Sequence, residues 1–295
     1  MPKTDMKKQP GTGGCCHDKQ QVKTGGFTMP AEKVKKRKKK QSYIWLSVLS
    51  LVLFFFIWWL FTEGSLGTIK ENVLPGPVKV LRTLIDKFSN RNPDGATMQM
   101  HLWASLKITL IGYIIGCLVG VPLGIFMGWY EKADMFINPI FDFIRPIPGI
   151  AWTPLFILLF GIGMLPKVIV IALATFGPAL VNTYTGIKQT KEVHIWVGQT
   201  FGASKFEILR KIAIPSSIPF VLTGMRVGLG VAWSTIIGAE MLAATAGLGY
   251  LINLCRGIYR PDIIIAAMIC VGLIGAVLGY LLTLLERQLM KGGRW

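Results

Sequence analysis

KQTKEVHIWVGQTFGASKFEILRKIAIPS, residues 188–216, is the stretch on which the architecture turns. Its first half reads as a helix ending near Gly202. Ala203 and Ser204 follow, and Ser204 is placed to cap a second helix running through about residues 210–212. Pro215 is expected to stop that helix. Lys188, Lys191, Lys205, Arg210 and Lys211 make the segment basic, yet it sits between two strongly apolar runs. Most connections between helices take about 2–8 residues, so a polar helix–turn–helix of this length is more than a connector. A rigid helical protrusion is suited to docking in a partner's groove.

The apolar runs around it predict an all-α integral membrane protein with six transmembrane helices. Residues 43–62 (YIWLSVLSLVLFFFIWWLFT) are long enough to cross a hydrocarbon core of about 30 Å, with Trp45, Trp58 and Trp59 at interfacial positions. In 74–88, Val78, Leu81, Leu84, Ile85 and Phe88 share one face, as in an amphipathic helix lying on the outer surface. Further spans are expected at about 102–128, 150–163 (short and proline-flanked), 166–187, 216–240 and 263–285, with a glycine-rich connection at 241–262. Six crossings put both termini and segment 188–214 on the cytoplasmic side, where the positive-inside rule asks for the lysines. The outer loop 63–100 also holds five basic residues, balanced by Glu63, Glu71, Asp86 and Asp94.

Composition agrees. Of 295 residues, 52% are hydrophobic and only 16% charged, against about 25% charged in soluble domains. Twelve basic and three acidic residues in positions 1–41 leave that stretch at +9 of the net +17. Such a balance can signal nucleic-acid binding. Here the lysines abut an apolar span, so they read as an orientation signal touching anionic lipid. Residues 1–41 are expected to be a disordered cytoplasmic tail, and 42–295 the transmembrane domain. Cys15, Cys16 and His17 cluster in that tail with no second ligand pair at zinc spacing, so no metal site is expected. No apolar segment precedes Cys15, which argues against a signal peptide.

Gly112, Gly116, Gly120, Gly124 and Gly128 recur every four residues, laying one ridge down the second span. Lipid gives helices no hydrophobic reward for pairing, so close backbone approach must supply it. Gly224 and Gly228, and Gly272, Gly275 and Gly279, repeat the device in the last two spans. The ridge reads as tight packing and also as a smooth surface for sliding. Lys107, Arg145, Arg226 and Glu240 lie at or near span ends. Intramembrane charge usually faces a cavity or a partner; the plainer reading is snorkelling. Lys107 and Arg226 are candidates for an anion path, and Glu240 with Met241 for a structural or gating role near the outer mouth. Arg226 and Glu240 stand about 21 Å apart along one helix and cannot pair. Pro139, Pro146 and Pro148 break the helix in NPIFDFIRPIPGIAW, either as an inner pore mouth or as a simple turn.

At this point the sequence resembles the permeases of binding-protein-dependent ABC importers. Their cytoplasmic signature runs Glu-Ala-Ala, three residues, Gly, nine residues, Ile, one residue, Leu-Pro. Gly202, Ile212, Ile214 and Pro215 keep that spacing, while Trp196, Val197 and Gly198 replace Glu-Ala-Ala. LPGPVKVL (74–81), SLKITLIGYIIGCLVGVPLGIFMG (105–128), NPIFDFIRPIPGIAWTPLFILLFGIG (138–163), GMRVGLGVAWSTIIGAEMLAATAGLGYLI (224–252) and LLERQLMKGGRW (284–295) are similar to the nitrate, sulfonate, taurine and bicarbonate branch. The resemblance implies a type I importer permease (MetI-like) fold in the bacterial inner membrane. It implies as partners a second copy of the permease, two cytoplasmic ATPase subunits and an external substrate-binding protein. It further implies that Gly198, Phe201, Gly202, Ala203, Ser204, Ile212 and Pro215 couple to the ATPase. No cofactor is expected, and no bond chemistry: no phosphate loop ending in Gly-Lys-Ser or Gly-Lys-Thr is present, so ATP must bind a partner. The alternative, a stand-alone secondary transporter or membrane-embedded enzyme, would want an acidic residue deep in a span or clustered catalytic groups. His17, His101 and His194 are dispersed instead.

Overall fold

The computed structural model describes residues 42–63 and 73–291. The tail 1–41, with Cys15, Cys16 and His17, lies outside the described residues. The chain divides into two units, Met1–Ser50 and Leu51–Trp295. The described part of the first is the beginning of helix α1 (Ser42–Thr62), exposed from Trp45 onward. α1 is apolar on every side, the pattern of a helix that faces lipid.

The described residues of the second unit contain the rest of α1, then α2 (Pro77–Ser89), α3 (Met98–Trp129), α4 (Glu131–Ile144) and α5 (Thr153–Phe160). α6 (Met164–Lys188), α7 (Glu192–Thr200), α8 (Lys205–Ile208), α9 (Ile214–Leu242), α10 (Leu248–Gly257) and α11 (Pro261–Lys291) follow. Among the described residues five helical stretches are long and apolar enough to cross a membrane, and α4 with α5, bent by 81°, passes the same test as a pair.

The glycine ridge sets the register of the bundle. A Cβ at Gly112 would lie 2.7 Å from Ile171 Cβ, at Gly116 2.6 Å from the Ala172 carbonyl oxygen, at Gly124 2.7 Å from the Leu180 oxygen, and at Gly128 2.8 Å from Ile187 Cβ. The numbers rise together, so α3 and α6 run parallel. Two parallel crossings need a return between them, and the bent α4–α5 pair supplies it. α9 packs antiparallel on α6: a Cβ at Gly224 would meet Asn182 and Pro178, and one at Gly228 would meet Thr175. Tyr113 donates to the Met225 carbonyl at 3.2 Å, and Trp233 to the Val271 carbonyl at 2.9 Å, tying α9 to α3 and α11. Ile108, Ile171, Leu229, Ile236 and Leu251 are among the buried residues of the core.

Several expectations need correction. The third span begins at Glu131, not near 150. Glu131, Asp134 and Asp142 dilute the apolar pattern of α4, and Pro146 and Pro148 withhold two backbone donors, so the helix turns sharply there. Pro215 does not end the helix begun at α8. A π-helical turn, Leu209–Ala213, joins α8 to α9, and Pro215 sits in the first turn of α9, where its missing N–H is tolerated. The glycine-rich connection contains α10. Gly272 and Gly279 meet no neighbour within 4 Å, and only Gly275 is close-packed, against Trp233. α11 therefore lacks the ridge contacts seen in α3.

Candidate functional site

Three places concentrate function-bearing side chains. The first is the protrusion, α7 and α8. Gly202, at φ +75°, takes the left-handed conformation that ends α7. Ser204 then caps α8: its Oγ accepts from the Glu207 N–H at 3.3 Å, and its N–H donates to Glu207 Oε2 at 3.0 Å. Gly198 is buried, and a Cβ there would lie 3.1 Å from Ile212 and 3.2 Å from Ile208, so the two helices close on each other at this point. Apolar side chains nevertheless face outward: Phe201 is 87% exposed, Phe206 65% and Trp196 58%. A rigid hairpin with exposed aromatics is the form of a partner surface. Ala203 is half-buried in the turn, and Ile212 and Pro215 carry the hairpin into α9.

The second place is a buried polar clamp at the opposite end of the bundle. The first turn of α10 offers unsatisfied N–H groups, and three side chains from α3 and α9 take them. Gly247 N–H donates to His101 Nδ1 at 3.2 Å, Leu248 N–H to Ser105 Oγ at 2.9 Å, and Gly249 N–H to Glu240 Oε2 at 2.9 Å. Ser105 in turn donates to Glu240 at 2.8 Å. Glu240 is fully buried, and Lys167 on α6 is buried as well. With Nδ1 accepting, the His101 proton belongs on Nε2, which lies 2.6 Å from Asp94 Oδ2. Lys87 closes the chain, donating to Asp94 Oδ1 at 2.7 Å and to the Asn92 and Ala96 carbonyls. Burial pushes the Asp94 carboxyl up, but Lys87 and His101 more than offset that and hold it below the usual carboxylate value.

The third place is a cavity of about 620 Å³ where the bent span leans on α6 and α9. Ile140, Phe141, Arg145, Pro178, Asn182 and Val231 are among its walls.

The residues singled out from sequence fall unevenly among these places. Glu240 belongs to the clamp, and the Met241 carbonyl accepts from Asn253 Nδ2 at 3.0 Å beside it. Arg226 is ion-paired with Glu286 on α11, as its separation from Glu240 demands. Lys107 is exposed on α3. None of these four lines the cavity. Sequence reasoning passed over Lys87, Asp94, His101 and Ser105. Their signal was present as polar residues spaced seven and four apart, Lys87 on α2, Asp94 in the loop after it, and His101 and Ser105 at the head of the apolar α3, but α10 as their target was not.

Residues 120–291 match the family model described as the binding-protein-dependent transport system inner membrane component. The chain is 34% identical to the taurine transport system permease protein TauC of Escherichia coli (strain K12), over 83% of this chain and 88% of that one. It is 30% identical to the putative aliphatic sulfonates transport permease protein SsuC of Bacillus subtilis (strain 168), over 88% of this chain and 92% of that one. Its fold is similar to a chain of the MetNI methionine ABC transporter, with a TM-score of 0.57 at 17% identity, covering 66% of this chain and 96% of that chain.

Proposed function

From the premise that this chain belongs to the binding-protein-dependent transport system inner membrane components, we propose how its three sites divide the work of an ATP-driven importer. The chain is the permease, a multi-pass inner-membrane subunit; its relatives are transport permeases, which supports this reading over a stand-alone carrier or a membrane enzyme. The protrusion docks in a groove of the ATPase through Gly198, Phe201, Gly202, Ala203, Ser204, Ile212 and Pro215. Where the family signature has Glu-Ala-Ala, this chain has Trp196, Val197 and Gly198, so its contact is apolar where the signature's is ionic. Two copies of the permease, two ATPases and an external binding protein make up the importer. ATP binding stabilises one of two arrangements of the permease pair, and the rigid hairpin transmits the change. The C-terminal end lies in the cytoplasm, because α11 ends on the same side as the protrusion and the positive-inside rule places the protrusion there; the basic run at 33–40 ahead of α1 places the N-terminus there by the same rule. Glu240 and Met241 hold the outer end of the pathway in shape as part of the clamp; Lys107 and Arg226 act at its rim.

The cargo is a small anion such as nitrate, a sulfonate, taurine or bicarbonate. The relatives named for taurine and aliphatic sulfonates support this class, and the carrying observation for the permease role is the capped, aromatic-tipped hairpin. A double substitution, Phe201→Ser with Phe206→Ser, tests the docking. Both side chains are exposed, so folding should be unchanged, whereas copurification of the ATPase subunit and binding-protein-stimulated ATP hydrolysis should fall at least tenfold. Unchanged copurification would overturn the docking assignment. The cargo class is tested by uptake into proteoliposomes across a panel of small anions; stimulation by neutral or cationic solutes alone would overturn it.

A further inference from the structure

The cavity at the bent span holds a cation that no acidic side chain among the described residues neutralises. Arg145 follows directly on α4, with its backbone N–H bonded to the Phe141 carbonyl at 2.8 Å. Pro146 and Pro148 then break the helix, so the side chain leaves at the bend and lines the cavity. Among the described residues it is the only charged one in the cavity walls. No side-chain partner falls to it among the described residues. The nearest acid in sequence, Asp142, accepts from Asn138 at 3.3 Å on the same helix and does not line the cavity.

Depth makes this unusual. α6 runs 25 residues, about 37 Å at 1.5 Å per residue. Its cavity-lining residues, Leu173 to Asn182, begin about 14 Å and end about 27 Å from its first residue. On α9, Val227 and Val231 stand about 20 and 26 Å along a helix of about 42 Å. The cavity therefore lies at mid-membrane. Snorkelling carries a long cationic side chain to the interface only from near a span end, and Arg226, at about the same depth on α9 as Val227, is neutralised instead by Glu286. An unpaired guanidinium at mid-depth, facing a cavity, is the usual mark of a ligand pathway.

We propose that Arg145 is the headgroup anchor for the transported anion, the cargo pausing in this cavity as it crosses. The inference rests on the permease reading and on its anionic cargo, and adds where the ion is held and by what. A guanidinium presents two parallel N–H donors, which match two oxygens of a sulfonate, nitrate or bicarbonate better than a lysine can. Asn182 is the second polar wall. Its Nδ2 donates to the Pro178 carbonyl at 2.9 Å, which leaves its amide oxygen and second N–H for cargo or water. The rest of the wall is apolar, from Ile140 on α4 to Val231 on α9, and accepts the short carbon chain of an alkanesulfonate. The cavity is several times the volume of such an ion, so the anion is held at one end while water fills the remainder. Loose holding suits a waypoint that must release its cargo.

The test uses the complete importer, permease with its ATPase and binding protein, in proteoliposomes, with radiolabelled ethanesulfonate, taurine, nitrate and bicarbonate as probes. In Arg145→Gln, uptake of whichever probe the wild type carries should fall tenfold or more, while binding-protein-stimulated ATP hydrolysis stays within twofold. Arg145→Lys keeps the charge without the fork and should lose two- to fivefold. A second measurement covers the case in which Arg145→Gln fails to assemble: Arg145→Cys, with Cys15 and Cys16 replaced by Ser, treated with a cationic or an anionic methanethiosulfonate. The cationic reagent should restore uptake severalfold and the anionic one should not. Equal uptake by Arg145→Gln and wild type, or equal rescue by both reagents, overturns the anchor while leaving the permease and its cargo class intact. A wild-type importer that hydrolyses ATP with its binding protein but moves none of the four probes overturns the cargo class and the anchor together.

Discussion

Lys87→Met is the sharpest probe of the clamp. The Lys87 and Asp94 side chains are 2% and 1% exposed and meet at 2.7 Å. Removing the ammonium leaves a buried carboxylate with His101 alone, and strips the Asn92 and Ala96 carbonyls of their donor. Breaking a buried pair from one side costs about 3–5 kcal/mol. This pair sits at the head of α3 and not in the middle of the bundle, so about 3 kcal/mol is the expected loss. Replacing both partners, Lys87→Met with Asp94→Asn, removes the uncompensated charge and should recover more than half of it. The pH dependence carries the sign. In the wild type the Asp94 carboxyl is held below its unfolded value. Its contribution to stability is therefore complete above the unfolded carboxylate pKa, about 3.9, and is lost as pH falls through the folded one. In Lys87→Met the ammonium that lowers it is gone, while burial, which raises it, and His101, which lowers it, both remain, so the carboxyl stands higher than in the wild type. The deficit of the variant relative to wild type should therefore shrink as pH is lowered, because the carboxylate left without its ammonium takes up a proton at a higher pH than the paired one. Thermal unfolding of the detergent-purified permease, followed by near-ultraviolet dichroism from pH 8 to 5, reads both effects. A variant as stable as wild type, or a double variant no better than the single one, would refute the reasoning.

Two further outcomes follow from the packing. Gly116→Val should destabilise the bundle by about 1–3 kcal/mol, because its Cβ would lie 2.6 Å from the Ala172 carbonyl oxygen and force α3 from α6. Gly272→Ala, with no neighbour within 4 Å, should fall within about 0.5 kcal/mol of wild type in the same melt. Ser105→Ala removes the acceptor of Leu248 N–H and a donor to Glu240, and should cost about 1–3 kcal/mol. Its distinctive readout is hydrogen exchange. Amides at the start of α10 should lose protection while those of α6 keep it, and uniform loss would count against a local clamp.

Much of the fold was legible in the chain because lipid imposes a simple rule: a crossing helix must satisfy its own backbone and present apolar side chains. Hence α1, α3, α6, α9 and α11 stand within a few residues of their apolar runs. The hairpin was legible for a different reason. Gly202, Ser204 and Glu207 encode a helix stop and a helix start within six residues, and neither depends on distant contacts. The bent span was read short because hydropathy cannot distinguish a half-polar helix that lies against α6 from a loop. Pro215 was read as a stop because a proline's cost depends on the turn it enters, and the π turn before it was not encoded in any local motif.

The clamp and the cavity mark the boundary between what sequence and structure decide. Sequence alone established the number and order of the spans, the glycine ridge and the protruding hairpin, since each rests on residues close together in the chain. Only the tertiary structure decided what the charges do. Glu240 became the buried partner of Ser105 and α10, Arg226 the partner of Glu286, and Arg145 the one charged wall of a mid-membrane cavity. The physical reason is range: the cost of a charge in a membrane is set by what lies within a few ångströms of it, and those neighbours come from helices 60 residues away for Arg226 and 135 for Glu240.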